Sequence, residues 1–227
     1  MVTCAVFDLD GTLVDSNYHH VLAWHRAFRE YDVVQPLWHI HRHLGMGGDK
    51  LVAEVAGDEV EVSCGDAIRE AWKREFDGLI DEVAAVPGAT ELLAAVKEAG
   101  ARLVVASSGK PDHVEHFLAL LGAGDLADAW TTSEEVDQTK PDPDLLEVAL
   151  DKVGRPEAVT FGDATWDAEA ARRVGLPAVL LRTGGFGTDE LHAAGAVEVF
   201  DSLDDVRADL HRLLAMATPV NAQRRSR

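Results

Sequence analysis

Short apolar runs recur along this chain, and each is followed by a segment with helical spacing. The runs cover Val2 to Phe7, 102–106, 158–161 and 177–182, with a shorter one at 129–132. Runs that are apolar at every position are typical of strands buried on both faces of a parallel sheet. The alternation therefore predicts an α/β fold in which helices cover both faces of a doubly wound parallel sheet.

Helical spacing accounts for much of the remaining chain. It predicts helices over 16–31, 63–83, 89–99, 111–121, 143–153 and 164–174, with a further helical region broken near Gly45–Gly48. In the first of these, Val21, Trp24 and Phe28 lie on one side, as in a helix with one apolar face. No strand pattern occurs between Asn17 and about Ala85, so this stretch is predicted to be wholly helical.

The helical stretch interrupts the strand–helix alternation after the first strand. We therefore predict a cap of residues 16–85 inserted into a core of residues 1–15 and 86–215, with hinges near Asp15 and Ala85. Residues 216–227 are polar and end in a basic run, and they are predicted to form a disordered tail.

The net charge of −19 limits the partners of this chain. A surface this acidic repels nucleic acid and anionic lipid, so neither is expected to bind. It also repels phosphorylated compounds, so a phosphate site would need local cations from Lys, Arg or a metal ion.

Cysteine content and hydropathy favour a cytoplasmic protein. Only Cys4 and Cys64 occur, and Cys4 lies in a predicted buried strand, which indicates a small core residue and no disulfide framework. No apolar run approaches the ~20 residues of a membrane span. The first residues show no charged stretch ahead of an apolar one, so no signal peptide is predicted.

Polar clusters follow the predicted strands. These are Asp8-Leu9-Asp10-Gly11-Thr12, Ser107-Ser108, Lys140-Pro141 and Gly162-Asp163 with Asp167. Parallel α/β sheets bind ligands at the carboxyl ends of their strands, so the clusters are expected to meet there. Two close carboxylates need a cation, and carboxylates one turn apart suit a hard ion such as Mg²⁺. Each cluster alone is a common cap or turn, whereas four in this order indicate a site.

The motifs FDLDGTLVDS (Phe7–Ser16), VVASSGK (Val104–Lys110), TKPDPD (Thr139–Asp144) and FGDATWD (Phe161–Asp167) together resemble the haloacid dehalogenase superfamily. The order of elements fits over about residues 1 to 210. The resemblance is to the subclass with a helical cap after the first strand, which contains phosphoglycolate phosphatases and β-phosphoglucomutases. It implies a phosphatase with this α/β core and a Mg²⁺ cofactor.

The resemblance also implies roles for individual residues. Asp8 would attack phosphorus and become an aspartyl-phosphate, and Asp10 would act as general acid and then as general base. Ser107 and Lys140 would hold the phosphoryl group. Mg²⁺ would bind the Asp8 carboxylate, the Asp10 carbonyl and Asp163. The supporting residues would be Asp167, beside the metal or Lys140, and Thr12.

Substrate contacts are expected from the cap and the second motif, at His20, Gly47, Lys50, Ser108 and Lys110. In the mutase branch, a cap-loop arginine grips a second phosphate, and no arginine matches it in the loop Gly45–Lys50. Lys50 and Arg42 are the nearest cations to that loop in the sequence. Hydrolysis is therefore predicted, with sugar-phosphate mutation as the alternative.

A phosphoacceptor signalling module is an alternative of a different class. It would need neither a cap nor Asp10, and the presence of both favours an enzyme. The expected substrate is a small phosphorylated metabolite, because a closing cap restricts bulk. Phosphoglycolate, sugar phosphates and nucleoside monophosphates all remain open. The protein is predicted to be a monomer or weak homodimer.

Overall fold

A computed structural model describes residues 3–220 as a six-stranded parallel sheet with strand order β3-β2-β1-β4-β5-β6. The strands are β1 (Cys4–Phe7), β2 (Arg102–Ala106), β3 (Ala129–Thr131), β4 (Ala158–Gly162), β5 (Ala178–Leu181) and β6 (Ala196–Phe200). The prediction of a doubly wound parallel α/β sheet is confirmed.

The described residues form eleven α-helices. They are α1 (Asn17–Glu30), α2 (Leu37–His41), α3 (Gly48–Ala56), α4 (Asp58–Asp77), α5 (Ala89–Glu98), α6 (Pro111–Leu120), α7 (Asp144–Lys152), α8 (Thr165–Val174), α9 (Thr188–Ala194), α10 (Leu203–Ala208) and α11 (Leu210–Leu214). Helix α1 and helices α5 to α8 lie close to their predicted ranges. Within this part of the chain, no helix combines the length and hydropathy that a membrane crossing requires.

Both faces of the sheet are buried. Alternate residues of β1 belong to different cores: Ala5 and Phe7 to one, Cys4 and Val6 to the other. The Phe7 ring stacks on that of Phe161 in β4, with ring centroids 4.5 Å apart. Cys4 is fully buried, and burial raises the pKa of its thiol to about 12. It is therefore a small core residue, as predicted.

Strand β1 lies between β2 and β4, where the direction of winding reverses. Phe7 aligns with Val105 on one side and with Phe161 on the other. The three strands therefore end at nearly the same level, and the residues that follow them share one crevice. Ligands of open α/β sheets bind in this crevice.

Helices α1 to α4 form a separate apolar cluster that includes Trp24, Phe28 and Ile68. The chain enters and leaves this helical region through an antiparallel bridge between Val14 and Ala85. The Asp15 amide donates to the Ala84 carbonyl at 2.9 Å beside this bridge. The paired crossings support the predicted hinges, and the division into cap and core stays a prediction.

The helix predicted over 63–83 has different bounds. Helix α4 begins at Asp58 and ends at Asp77, and a 3₁₀ turn follows at Ile80–Glu82. Its first turn carries Asp58, Glu59 and Glu61, which suit a helix N-terminus. Apolar spacing missed this turn because Asp58 and Glu59 are exposed and only Val60 packs against the apolar cluster there; Val62, which follows, is 88% exposed.

Strand β6 and helices α9 to α11 were not predicted. In β6, Ala196 is buried and the next residue, Val197, is 44% exposed. An edge strand with one solvated face lacks the continuous apolar run used to find the others. The short helices that follow β5 each have five to seven residues, too few for a clear period.

The predicted disordered tail 216–227 is wrong in its first part. Thr218 pairs with Ala158 at the start of β4, through backbone hydrogen bonds of 2.9 and 3.1 Å. Its hydroxyl also donates to the Gly175 carbonyl at 3.0 Å. Backbone pairing with the sheet outweighs the polar composition of this segment. Residues 221–227 lie outside the described part of the chain.

Candidate active site

The strand ends bring five predicted residues into one buried cluster. Asp8 follows β1, Ser107 follows β2, and Asp163 and Asp167 follow β4, while Lys140 comes from the loop before α7. Each is 6% exposed or less. The Lys140 ammonium contacts the Asp8 carboxylate and lies 2.7 Å from Asp167 Oδ1.

Lys140 remains charged despite its burial. Burial alone would lower the pKa of its ammonium, but Asp167 and Asp8 outweigh that effect and raise the pKa. An ammonium without such partners would lose its proton at this depth. The cluster therefore contains a fixed positive charge, which this acidic protein needs in order to hold a phosphate.

Asp167 fixes Lys140 and the first turn of α8 at once. While Oδ1 faces the ammonium, Oδ2 accepts the backbone N–H groups of Asp163 at 3.2 Å and Ala164 at 3.0 Å. These donors begin a helix and would otherwise lack partners. Of the two supporting roles predicted for Asp167, the geometry favours the one on Lys140.

Asp163 is held by two residues from the other side of the crevice. Thr12 Oγ1 donates to Oδ1 at 3.0 Å, and Asn17 Nδ2 donates to Oδ2 at 2.9 Å. Gly11 makes this approach possible: its φ is +78°, and a Cβ there would collide with Asn17 and Asp163. Glycine adopts this left-handed conformation without strain.

Three buried carboxylates are crowded enough to hold a cation. Asp8, Asp163 and Asp167 each offer an oxygen within 4.8 Å of the others. Burial raises the pKa of Asp8 well above its usual range, Lys140 opposes this, and Asp167 and Asp163 add to the rise. Burial and Asp167 raise the pKa of Asp163 to about 7. Such a group is stabilised by a divalent ion with oxygen ligands.

Asp10 has different surroundings from Asp8. Ser16 Oγ donates to its Oδ1 at 2.7 Å, and His20 Nε2 lies 3.0 Å from the same oxygen. Burial works to raise the pKa of Asp10, but the bonds to His20 and Ser16 prevail and lower it. The His20 ring stacks on Phe76, with ring centroids 3.8 Å apart. The His20 side chain therefore contacts Asp10 and Phe76 and is largely shielded from solvent.

The loop after β2 forms a tight turn beside these aspartates. Ser107 Oγ accepts the Gly109 N–H at 2.9 Å. Ser108 and Gly109 line an inner cavity of about 50 Å³ together with Asp8 and Asp10. The hydroxyl of Ser108 at this position can donate to phosphoryl oxygens.

The inner cavity adjoins a larger space, which we call the outer chamber. Its volume is about 470 Å³, and it shares Gly48, Trp72 and Ser108 with the inner cavity. The outer chamber is lined by residues of α4, the Gly48 turn, and loops after β2 and β3: Gly48, Asp49, Asp66, Arg69, Glu70, Trp72, Lys73, Ser108, Lys110, Ser133, Val136, Asp137 and Thr139.

The predicted substrate residues divide into two groups. His20 and Gly47 line the inner cavity, Lys110 lines the outer chamber, and Ser108 lines both. Lys50 lines neither: its ammonium pairs with Asp142. The loop turns Lys50 outward because α3 begins at Gly48 and places Lys50 in its first turn.

Several residues of the site were missed from the sequence. Ser16 is the last residue of the first motif and Asn17 directly follows it, so position alone could have marked them. Arg69 and Lys73 come from α4 and line the outer chamber. They lie in the helix predicted over 63–83, three residues before and one residue after Trp72, so charges beside an apolar side chain were the available signal.

Comparison with known proteins agrees with the motifs. Residues 5–181 match the family described as haloacid dehalogenase-like hydrolase. This stretch contains every residue placed at the strand ends and all of the helical region between β1 and α5.

Individual relatives cover most of the chain. The chain is 34% identical to validoxylamine A 7'-phosphate phosphatase of Streptomyces hygroscopicus subsp. limoneus, over 81% of this chain and 87% of that protein. It is 30% identical to a plasmid phosphoglycolate phosphatase of Cupriavidus necator, over 91% and 92%. A solved hydrolase structure from Pseudomonas syringae matches with a TM-score of 0.86 and 33% identity, over 95% of this chain and 100% of the other.

Proposed function

This chain belongs to the haloacid dehalogenase-like hydrolases and is a phosphoric monoester hydrolase, and we propose that it works with Mg²⁺ through an aspartyl-phosphate on Asp8. One observation carries the proposal. Asp8 ends the central strand β1, contacts the buried ammonium of Lys140, and lines the inner cavity. A carboxylate in this position is a nucleophile placed beside a charge that neutralises a phosphoryl group.

Asp8 and Asp163 are the residues that would hold Mg²⁺, with the Asp10 carbonyl as the third proposed ligand. Asp167 has both oxygens engaged by Lys140 and backbone N–H groups, so it acts on the lysine. When bound, the ion neutralises charge on the carboxylates and on the phosphate, which otherwise repel each other.

In the first step, an Asp8 oxygen attacks phosphorus and the bond from phosphorus to the alcohol oxygen breaks. Asp10 gives its proton to that leaving oxygen. His20 and Ser16 bind Oδ1 of Asp10, and a side chain at Gly109 would come within 3.6 Å of Oδ2. Asp10 and Gly109 both line the inner cavity, and a dianionic phosphate bound there would raise the pKa of Asp10 and favour the protonated acid.

In the second step, Asp10 takes a proton from water, which attacks phosphorus and releases phosphate from Asp8. The lowered pKa of Asp10 keeps its carboxyl ionised, which is the form that can accept this proton. Lys140 stays bound to Asp167 throughout and neutralises the charge that returns to Asp8. The enzyme ends in its starting state.

The substrate is a small phosphorylated metabolite. The two relatives are named for validoxylamine A 7'-phosphate and phosphoglycolate, which differ greatly in size. An outer chamber of about 470 Å³ falls in the range of sites for whole small molecules, and it favours a sugar-sized alcohol over glycolate. A cytoplasmic location and a monomer or weak homodimer remain predictions.

The geometry favours hydrolysis over sugar-phosphate mutation. The two cations considered for a second phosphate are both engaged elsewhere. Lys50 pairs with Asp142, while Arg42 pairs with Glu190 and lies 4.3 Å from the Phe186 ring centroid. A mutase needs a free cation in the cap to hold its bisphosphate, and neither residue is in that position.

Phosphate release from p-nitrophenyl phosphate and a panel of metabolite phosphates tests the proposal. Asp8→Asn should reduce kcat by at least about 1000-fold, because the nucleophile is lost while the side-chain shape is kept. Asp125→Asn is the control, since Asp125 is exposed and lies outside both cavities. Chelation of Mg²⁺ should reduce turnover by at least about 100-fold. Turnover that survives either Asp8→Asn or chelation would refute the proposed mechanism.

A further inference from the structure

Two segments of the chain meet at the border between the inner cavity and the outer chamber. One is the turn that leads into α3, and the other is the loop before α7. Gly47 of the turn lines the inner cavity, while Asp49 and Thr139 line the outer chamber. A substrate that occupies both spaces therefore lies beside the contact between Asp49 and Thr139.

Three hydrogen bonds join the two segments through Thr139. Its hydroxyl accepts the Gly47 N–H at 3.0 Å and donates to Oδ1 of Asp49. Its backbone N–H donates to Oδ2 of Asp49 at 3.3 Å. Bonds that a carboxylate accepts are charge-assisted and stronger than those between neutral groups. One carboxylate thus holds both the side chain and the backbone of Thr139.

The segments approach so closely that only glycine fits at position 47. A Cβ there would collide with Thr139 Oγ1 and with Oδ1 of Asp49. Thr139 is only 4% exposed, although it belongs to a loop. The loop side of the contact is therefore buried and tightly packed, unlike a hydrogen bond at the surface.

The position of Asp49 at the start of a helix does not explain this contact. Asp49 lies in the first turn of α3, where a negative charge stabilises the helix dipole. That role needs no partner in another segment, yet both carboxylate oxygens of Asp49 accept hydrogen bonds from Thr139. Asp49 therefore joins the turn before α3 to the loop before α7.

Thr139 is also the first residue of the turn that carries Lys140. The Thr139 carbonyl accepts the Asp142 N–H at 3.1 Å, which closes this turn around Lys140. Asp8 and Asp167 hold the ammonium at the far end of the lysine side chain. The bonds from Asp49 hold the backbone at the near end, so both ends of the lysine are fixed.

A second link joins the same two segments farther from the inner cavity. The Lys50 ammonium pairs with Asp142, which also lies 2.6 Å from Arg173. Lys50 and Asp142 line neither cavity, and their side chains are 23% and 28% exposed. Loss of this outer link leaves the three bonds through Thr139 in place, so it provides a comparison for them.

We propose that Thr139 and Asp49 are positioning residues, whose contact holds the Lys140 turn where the ammonium neutralises the transferring phosphoryl group. This inference rests on the proposed phosphatase function and deepens it. A displacement of about 1 Å in a catalytic group can reduce the rate by about 100-fold. Loss of the contact should therefore act on kcat more than on KM.

Steady-state kinetics on p-nitrophenyl phosphate with Mg²⁺ test the inference. Thr139→Val replaces the hydroxyl with a methyl group of similar size, and it should reduce kcat by at least about 10-fold with KM within about 3-fold of the wild type. Thr139→Ser keeps the hydroxyl and should retain kcat within about 3-fold. A role for the threonine methyl group in packing alone would give the reverse order, because valine keeps that methyl group and serine lacks it.

Asp49→Ala removes the other partner from its exposed side and should reduce kcat by a similar factor. The double variant Thr139→Val/Asp49→Ala should lose no more than the larger single loss, because both substitutions remove the same contact. Asp58→Ala is the matched control: it removes an acidic residue from the first turn of α4, at an exposed position outside both cavities. Asp58→Ala and Lys50→Ala should each keep kcat within about 2-fold.

The outcomes separate this inference from the proposed function. A kcat of Thr139→Val within about 3-fold of the wild type, or a loss confined to KM, overturns the inference while the phosphatase function stands. Losses that multiply in the double variant, or an equal loss in Asp58→Ala, also overturn it. If circular dichroism shows that Thr139→Val does not fold, an unchanged kcat in Asp49→Ala overturns it instead. Failure of the wild type to hydrolyse p-nitrophenyl phosphate refutes the proposed function, and this inference with it.

Discussion

The inner cavity and the outer chamber adjoin, yet they are built in different ways. Around the inner cavity, Asp8, Ser107 and Asp163 follow neighbouring strands, and the backbone register of the sheet sets their positions. The wall of the outer chamber comes from side chains of α4 and from loops, and Glu70 and Asp137 are exposed there. The comparison indicates that the reaction is fixed by the fold, while selectivity depends on side chains that can change without disturbing it.

Removing one lysine beside the inner cavity and one in the outer chamber should give the largest difference in kcat. Lys140→Met is expected to reduce kcat by at least about 100-fold, because it removes the charge that stabilises the transferring phosphoryl group. It also leaves the buried carboxylates of Asp8 and Asp167 without the cation that pairs with them, which should lower the free energy of unfolding by about 3 kcal/mol or more.

Lys110→Met is the matched change in the outer chamber, where the lysine is only loosely paired. Its kcat on p-nitrophenyl phosphate should stay within about 3-fold of the wild type, since a binding contact acts mainly on KM. Steady-state kinetics and urea unfolding on both variants provide the comparison. Equal losses of kcat in the two variants would contradict the division between the regions.

The pH dependence of stability should also separate the regions. In the metal-free folded protein the pKa of Asp163 is raised from 3.8 to about 7. Between these values the folded state holds a proton that the unfolded chain has lost, so the free energy of unfolding falls as pH rises from about 4 to about 7. Asp8 contributes in the same direction. Mg²⁺ should offset this loss because it neutralises the ionised carboxylates.

Asp163→Asn should therefore flatten the dependence of Tm on pH in chelator and raise the Mg²⁺ concentration needed for activity. Asp77 and Asp112, which both pair with Lys73 of the outer chamber, have lowered pKa values, Asp77 because His113 and Lys73 outweigh its burial and Asp112 chiefly through Lys73. Asp77 and Asp112 stabilise the folded state when ionised, so their contribution to the free energy of unfolding is lost as pH falls through their pKa values, opposite to the trend for Asp163. This contribution is small because both side chains are exposed. Thermal unfolding across this pH range measures both trends. A Tm slope unchanged in Asp163→Asn would contradict the assignment of Asp163.

The smallest effects on kinetics are expected for substitutions of Arg69 and Lys50. Arg69 donates to the Gly48 carbonyl at 3.1 Å and so ties α4 to the turn that borders both cavities. Arg69→Ala should raise KM for sugar phosphates by about 5-fold with a smaller change in kcat. Lys50→Ala should change KM by less than about 2-fold, because its partner Asp142 lies outside both cavities. A larger change in KM for Lys50→Ala would support the contact between Lys50 and the substrate that the sequence predicted.

The inner cavity could be predicted from the sequence because it depends on where strands end. Each apolar run stops at a polar residue, and parallel strands of similar length bring those residues together. The contact between Asp167 and Lys140 required the structure, since it joins the first turn of α8 to the loop before α7, 27 positions away in the chain. The sequence alone left Asp167 with two alternative roles.

The outer chamber could not be predicted in the same way. Lys50 was expected to face the substrate, but the start of α3 at Gly48 directs it to Asp142. Arg69 faces the chamber because α4 crosses above the turn at Gly48, and a helical period does not reveal such a crossing. Thr218 was assigned to a disordered tail because composition carries no information about backbone pairing with Ala158.

Isolation of the phosphorylated enzyme tests the central claim most directly. Asp10→Asn removes the base of the second step, so the aspartyl-phosphate should accumulate when this variant is mixed with a substrate whose leaving group needs no acid, such as p-nitrophenyl phosphate with Mg²⁺. After acid quenching and digestion, mass spectrometry should find one added phosphoryl group on the peptide that contains Asp8. The added group should be absent from Asp8→Asn/Asp10→Asn. A phosphoryl group on another residue, or p-nitrophenol released at full rate with no labelled peptide, would contradict the account.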